Sequence, residues 1–403
     1  MRGGSMNSIN KSKFKMLHST EDGELEDKIK AHHFKIIKRI MIVILIVVAI
    51  LAGVYIYFTV KTFHKVHIAS TTLRSDTAAE KYEEFQGNVL KYSNDGAFYT
   101  DIKDETIWNQ TYEMQNPIVD ICQNYLTIAD KSGTDIYIMN QEGIQGKIKT
   151  TMPIFQVRIA AQGTVAVLME DNGVSYVQLY DKEGTLLASG ELHAQNSGYP
   201  IAIALSDDAK KLAVSMLNIS GTKVKTTIAF YNFGSVGQNE IDNIVSSYSY
   251  TDEVYPRIEF VNSNRMIAFG DQKVVMFEGT QKPKKIKTIK LKKEIKSIFY
   301  NDKYFGLVYN NDDKDNTRHM NIYSINGTKI LAKNFNMDYE NIEFLQNNEI
   351  CIYNTKECQI YSMYGIKRFT GTFDIPLYKV LSGITKWNYA LILEGKTQEV
   401  RLK

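Results

Sequence analysis

Chemistry needs side chains that ligate, ionise or attack, and in this chain of 403 residues they are few and scattered. Cys351 and Cys358 flank the turn of CIYNTKEC, and Cys122 stands apart from them. A turn centred between Asn354 and Thr355 brings the two sulfurs face to face, as a cross-strand disulfide requires; a register one residue different separates them as unpaired strand thiols. Their spacing matches neither a thioredoxin-like pair nor a zinc ribbon. His32 with His33, and His64 with His67, have no cysteine or carboxylate in register to complete a metal set. In the folded body only His193 and His319 occur, both expected in loops. No H-E-x-x-H pair, G-x-S-x-G elbow or phosphate-binding loop is present. Acidic residues are plentiful, but no spacing singles out a pair facing across a cleft. The expectation is a protein without catalytic, metal or cofactor residues, more a binding module than an enzyme.

Three further clusters have a chemical reading. Asp312, Asp313 and Asp315 crowd the loop NNDDKDNTRH, yet the central Gly and closing Glu of a calcium loop are missing, so it reads as a solvated hairpin. Asn109, Asn218 and Asn326 open N-x-S/T triplets, to which no modification is assigned. QKPKKIKTIKLKKEIK, residues 281–296, holds eight Lys against one Glu. Interspersed Ile286, Ile289 and Leu291 make it an outer strand whose ammonium groups guard a sheet edge. The same row, Lys284, Lys285, Lys287, Lys290, Lys292 and Lys293, is a candidate patch for anionic wall polymers or lipid headgroups. Nucleic acid is not expected, because stacking aromatics are not interleaved with the lysines.

The charge is unevenly placed. Residues 1–39 carry nine Lys/Arg and five Asp/Glu, so a formal net charge of +3 leaves the rest of the chain near minus one. A nearly neutral body has no general electrostatic footprint for a nucleic-acid backbone.

Ile40–Phe58, IMIVILIVVAILAGVYIYF, contains no charge. As a helix it reaches about 28 Å, the thickness of a bilayer's hydrocarbon core. Lys35, Lys38 and Arg39 precede it, and Tyr55, Tyr57 and Phe58 gather at its far end. It starts too late and ends too bulky for a cleaved signal peptide. The basic bias, Lys28, Lys30, Lys35, Lys38 and Arg39 before the span against Lys61, Lys65 and Arg74 after it, predicts the N-terminus inside and the large body outside. The expected organisation is a disordered cytoplasmic tail (1–35) that solubilises and fixes topology, contact of Lys11, Lys13 and Lys15 with anionic lipid being the alternative, a transmembrane helix (36–60), a stalk (61–87) that reads as helical where Tyr82 and Phe85 stand three apart, and a β domain (88–403).

Within that domain a module recurs. A first strand (PIVDIC, PIFQVRIA, PIAIAL, YPRIEFV, EIKSIFY, YENIEFL, PLYKVL) precedes a more apolar second one (YLTIAD, TVAVLME, KLAVSML, RMIAFG, YFGLVYN, EICIYN, YALILE), as burial on both faces requires. A third strand then ends in a glycine hairpin at Gly143, Gly184, Gly327 and Gly365, with weaker versions at Gly234 and Gly279. A period near forty residues with four short strands is a propeller blade. About thirty strands fall between the needs of seven blades and eight; an all-β, eight-bladed propeller is expected, seven blades being the alternative and the stalk a source of a missing strand.

Lys91, Tyr92, Gly96, Trp108, Gln110 and Pro117, in LKYSNDGAFYTDIKDETIWNQTYEMQNP with the blades behind them, carry a resemblance. From about residue 36 onward the chain resembles an uncharacterised family of bacterial, Firmicutes-like, single-pass membrane proteins whose outer part is similar to a quinoprotein or WD-repeat propeller. The resemblance implies a fold and a compartment, and brings no activity, cofactor or catalytic residue.

Overall fold

The structure, a computed structural model, describes residues 20–74, 81–193, 198–219, 222–311, 315, 317–383, 385 and 387–403. Lys11, Lys13, Lys15, Asp312 and Asp313 lie outside the described residues. Two compact units divide the chain, Met1–Lys61 and Thr62–Lys403.

The first unit contains one helix, α1 (Thr20–Val60), within which Asp27–Tyr57 is long and apolar enough to cross a membrane. It begins sixteen residues before the expected start, so Thr20–Lys35 are helical where a disordered tail was expected. The reason lies in the sequence. Glu24 and Glu26 stand four residues before Lys28 and Lys30, a spacing that favours helix, and acidic residues suit a helix N-terminus.

The second unit is an eight-bladed propeller, each blade a four-stranded antiparallel sheet. Blades 1 to 7 run in chain order through residues 81–111, 117–149, 154–193, 199–251, 257–290, 295–335 and 341–372. Blade 8 takes three strands from 377–402 and its outer strand from β1 (Val66–Leu73), which pairs antiparallel with Lys396–Leu402. The inner strand of blade 1 is β2 (Lys81–Phe85). Thus both strands needed to reach eight blades come from the segment expected to be a stalk. Tyr82 and Phe85 suggested a helix because they are three apart; as strand residues they point to opposite faces. Tyr82 joins a cluster with blade 8, and Phe85 one with blade 2.

Eight buried clusters hold the ring, one at each interface between neighbouring blades. The second strands supply much of each, and Arg265–Phe269 is buried along its whole length. The cluster closing blade 8 onto blade 1 is Tyr82, Val89, Leu381, Ala390 and Ile392, with Tyr82 stacked on Tyr378 at 5.3 Å between ring centres.

Gly143, Gly184, Gly327 and Gly365 have φ of 112°, 90°, 73° and 75°. Gly184 shows why the mark recurs: besides its left-handed backbone, a Cβ there would lie 2.7 Å from the carbonyl oxygen of Lys147 in the preceding blade. Gly279 differs from the expected hairpin glycine. It is outside the left-handed region, and its constraint is close approach, a Cβ there lying 2.6 Å from the Lys282 carbonyl oxygen.

Candidate functional site

Inner strands converge on the propeller axis, and there the sequence places charges that no local motif announces. Arg158, on the inner strand of blade 3, donates to Asp120 of blade 2 at 3.3 Å and to Glu259 of blade 5 at 3.0 Å. It therefore reaches past blade 4, whose inner strand, YPIAIAL, carries no charge. Glu259 also accepts from Arg257 Nε at 3.0 Å, and the Arg257 guanidinium lies 5.4 Å from the centre of the Tyr300 ring. Asp120 accepts the backbone N–H of Ile159 at 2.8 Å through its second oxygen. Burial pushes the Asp120 carboxyl up to about 6 against the opposing pull of Arg158. For Arg158 burial works against the charge, but Glu259 and Asp120 outweigh it and hold the guanidinium above its ordinary range.

A second network sits where the ring closes. Lys379 of blade 8 donates to Glu83 of blade 1 and to Glu343 of blade 7, both at 2.9 Å, and Tyr353 donates to Glu343 at 3.0 Å. Lys379 is buried, and despite that burial Glu343 and Glu83 raise its pKa well above the usual lysine range. Glu84 is pushed up to about 7 by burial, with Glu343 and Glu83 adding to the rise and Lys379 opposing it. Buried ionic groups of this kind are costly to strand, so each network fixes the blades that share it.

A cavity of about 500 Å³ opens beside the first network, lined among others by Asp120, Cys122, Arg158, Asp207, Tyr300 and Asp302. Burial, then Asp207 and Asp120, push the Cys122 thiol up to about 12, so it remains a neutral thiol rather than a nucleophile. His193 and His319 are on strands rather than in loops, ending Leu186–His193 and within Arg318–Ser324. Neither lines this cavity: His193 pairs with Glu191, and His319 bonds Asn334 and Asn321. Among the described residues no group of three or more His, Cys, Asp or Glu could hold a metal ion.

The lysine run forms the outer strand of blade 5, Lys284–Lys290. A register shift at Met276/Phe277 sets Lys285 opposite Phe277, Lys287 opposite Met276 and Lys290 opposite Lys273. Phe277 packs toward blade 4 and Met276 toward blade 6, so alternate lysines splay to both sides of the edge. Three nearby acids are engaged, Glu278 with Arg265, Glu253 with Lys273 and Glu240 with Lys282, while Asp271 and Glu294 share a cleft with Lys290, Lys292 and Lys293. Among the described residues none of Lys284, Lys285, Lys287, Lys290 and Lys292 forms an ion pair. Lys292 and Lys293 continue the patch beyond the strand, Lys293 donating to the Asn310 carbonyl oxygen at 3.5 Å. The run was legible from composition; the axial networks were not, because their members come from strands as many as 296 residues apart.

Trp108 and Gly143, both singled out by sequence, meet at the first blade interface. The Trp108 indole donates to the Asn140 carbonyl oxygen at 3.0 Å, and a Cβ on Gly143 would lie 3.8 Å from Trp108 Cβ.

Fold and site together define a β-propeller with one N-terminal helix of membrane-crossing length, with ion pairs linking its inner strands and a lysine-rich outer strand on blade 5. The chain belongs to the family of unknown function DUF5711, which matches residues 59–402. A search of curated proteins finds no match. Among solved structures it is similar to BamB from Moraxella catarrhalis (12% identity, 84% of this chain and 100% of that one, TM-score 0.48). It is also similar to Sqt1 from Saccharomyces cerevisiae (11% identity, 85% and 99%, TM-score 0.49) and the Pan2 WD40 domain from Neurospora crassa (10% identity, 71% and 88%, TM-score 0.43).

Proposed function

We propose that this protein is a membrane-anchored, extracytoplasmic scaffold of the cell envelope whose propeller binds an anionic partner, a wall polymer or an acidic protein face, along the outer edge of blade 5. The observation that carries this reading is the contrast between the two sets of charges. Inner-strand carboxylates are paired with Arg158, Arg257 and Lys379, whereas among the described residues Lys284, Lys285, Lys287, Lys290 and Lys292 form no ion pair. A row of ammonium groups on a solvent-facing edge concentrates polyanions. The excess of Lys28, Lys30, Lys35, Lys38 and Arg39 on the N-terminal side of the span supports a cytoplasmic N-terminus. An anchor confines the propeller to the bilayer plane, where modest affinity suffices for occupancy.

Membrane-impermeant lysine labelling of intact cells, followed by crosslinking in unbroken membranes, tests both parts. Modification of Lys284–Lys290 together with capture of an anionic envelope component agrees with the proposal. Labelling only after lysis would place the body on the cytoplasmic side and remove it.

A second reading, a ligand sensor, is favoured by the cavity beside Arg158 and Asp120. A small ligand entering there would exchange its own charges for one of the existing pairs, and binding would alter the spacing of blades 2, 3 and 5.

A further inference from the structure

Cys351 and Cys358 lie on the second and third strands of blade 7, Ile350–Tyr353 and Glu357–Tyr361. Cys351 is opposite Ile360 and Cys358 opposite Tyr353, so the turn is centred one residue later than direct pairing of the cysteines requires. Moving a turn centre by one residue shifts the pairing by two, and two residues is the repeat of a strand face. Hence the cysteines stay on the same face as diagonal neighbours, and their sulfurs are 3.7 Å apart. Both are free thiols, and both are fully buried in the cluster joining blades 7 and 8.

We infer that Cys351 and Cys358 are a modification site, a vicinal dithiol that is oxidised to a disulfide joining adjacent strands of blade 7 by a disulfide-bearing oxidant. The sulfurs, 3.7 Å apart, need to close to about 2.0 Å. In the first step one cysteine, as thiolate, attacks a sulfur of the oxidant, forming a mixed disulfide and expelling one thiol. The other cysteine then loses its proton and attacks the mixed disulfide, expelling the second thiol. Two cysteine thiols are oxidised, and the oxidant's one S–S bond is reduced to two thiols. Burial disfavours the attacking thiolate, so the exchange proceeds when blade 7 opens locally or before blades 7 and 8 close. Cys122 lies in blade 2, away from this cluster, and has no cysteine within it to exchange with.

The test uses the full-length chain in detergent, reduced and then incubated with oxidised glutathione in a denaturant concentration below the unfolding midpoint. After an acid quench, denaturation and alkylation with N-ethylmaleimide, intact mass counts the remaining thiols. One alkylated cysteine of the three, with Cys351 and Cys358 in a single linked peptide, is the expected result. Three alkylated cysteines, glutathione retained on either residue, or a bond to Cys122 would overturn the inference. Cys351→Ala and Cys358→Ala controls, which lack the second attacking thiol, should give no linked peptide and instead retain glutathione on the remaining cysteine, and circular dichroism on each confirms that the chain still folds. Because the oxidant is supplied, the outcome does not depend on which side of the membrane the propeller occupies.

Discussion

Val66 pairs with Leu402 in an antiparallel ladder, so the first strand after the helix is also the outer strand of the last blade. A ring closed in this way depends on residues at the two ends of the propeller sequence. Phe63, just before β1, is 6% exposed and bridges to Phe369 of blade 7. Its N–H donates to the Arg368 carbonyl oxygen at 2.8 Å, and its own carbonyl oxygen accepts from Thr370 N–H at 3.1 Å. Phe63→Ala is expected to cost about 3–5 kcal/mol, as aromatic truncations in a core do. A denaturant midpoint equal to that of the wild type would contradict closure through this segment.

Lys379 faces three carboxylates, Glu83, Glu84 and Glu343. Lys379→Met removes the base and strands the acids, with an expected loss of about 3–5 kcal/mol at neutral pH. Adding Glu343→Gln to Lys379→Met should restore part of that loss. Equal stability of the single and double variants in chemical denaturation would show that the network does not couple the blades.

Glu84 carries a pH signature. Its folded-state pKa, raised to about 7, is above the ordinary carboxyl value of 4.5, so between these values the folded state binds more protons than the unfolded one. The associated stability is fully present below about pH 4.5 and is lost as pH rises through 7. Its size is of order 1–3 kcal/mol. Asp120, raised from 3.8 to about 6, acts in the same direction over a lower window. Glu84→Gln should flatten the wild-type decline between pH 5 and 8. A variant that keeps the full slope would assign the effect elsewhere.

Glycines with similar backbones should differ in tolerance. Gly173 has φ of 80° with open space where a Cβ would go, whereas Gly184, at 90°, would meet the Lys147 carbonyl oxygen at 2.7 Å. Gly173→Ala is expected to cost about 1 kcal/mol from the left-handed backbone alone. Gly184→Ala adds a clash between blades and should cost at least about 2 kcal/mol. Thermal unfolding of the pair in parallel separates strain from contact; equal losses would contradict the interlocking role of Gly184.

Much of this architecture was legible because it is local. Nineteen apolar residues announce the span, and hairpin glycines with paired apolar strands announce the blades. β1 and β2 were hidden for physical reasons. β1 is an exposed edge strand without a clear apolar alternation, and β2 buries residues on two faces, which imitates a helical spacing. The Arg158–Glu259 and Lys379–Glu83 pairs exist only once the ring is closed, and single charged residues in strands give no sign of their partners. For the cysteines, the turn is centred one residue beyond the position that pairs them directly, so the register formed is neither of the two expected from the sequence.

Binding of the full-length protein, in detergent micelles, to an immobilised phosphodiester polymer tests the central claim most directly. Lys284→Gln, Lys287→Gln, Lys290→Gln and Lys292→Gln combined should weaken retention at low salt by about tenfold or more, and wild-type retention should fall steeply as salt rises through about 0.15 M. Retention of the fourfold variant equal to wild type across that range would contradict a binding surface on blade 5.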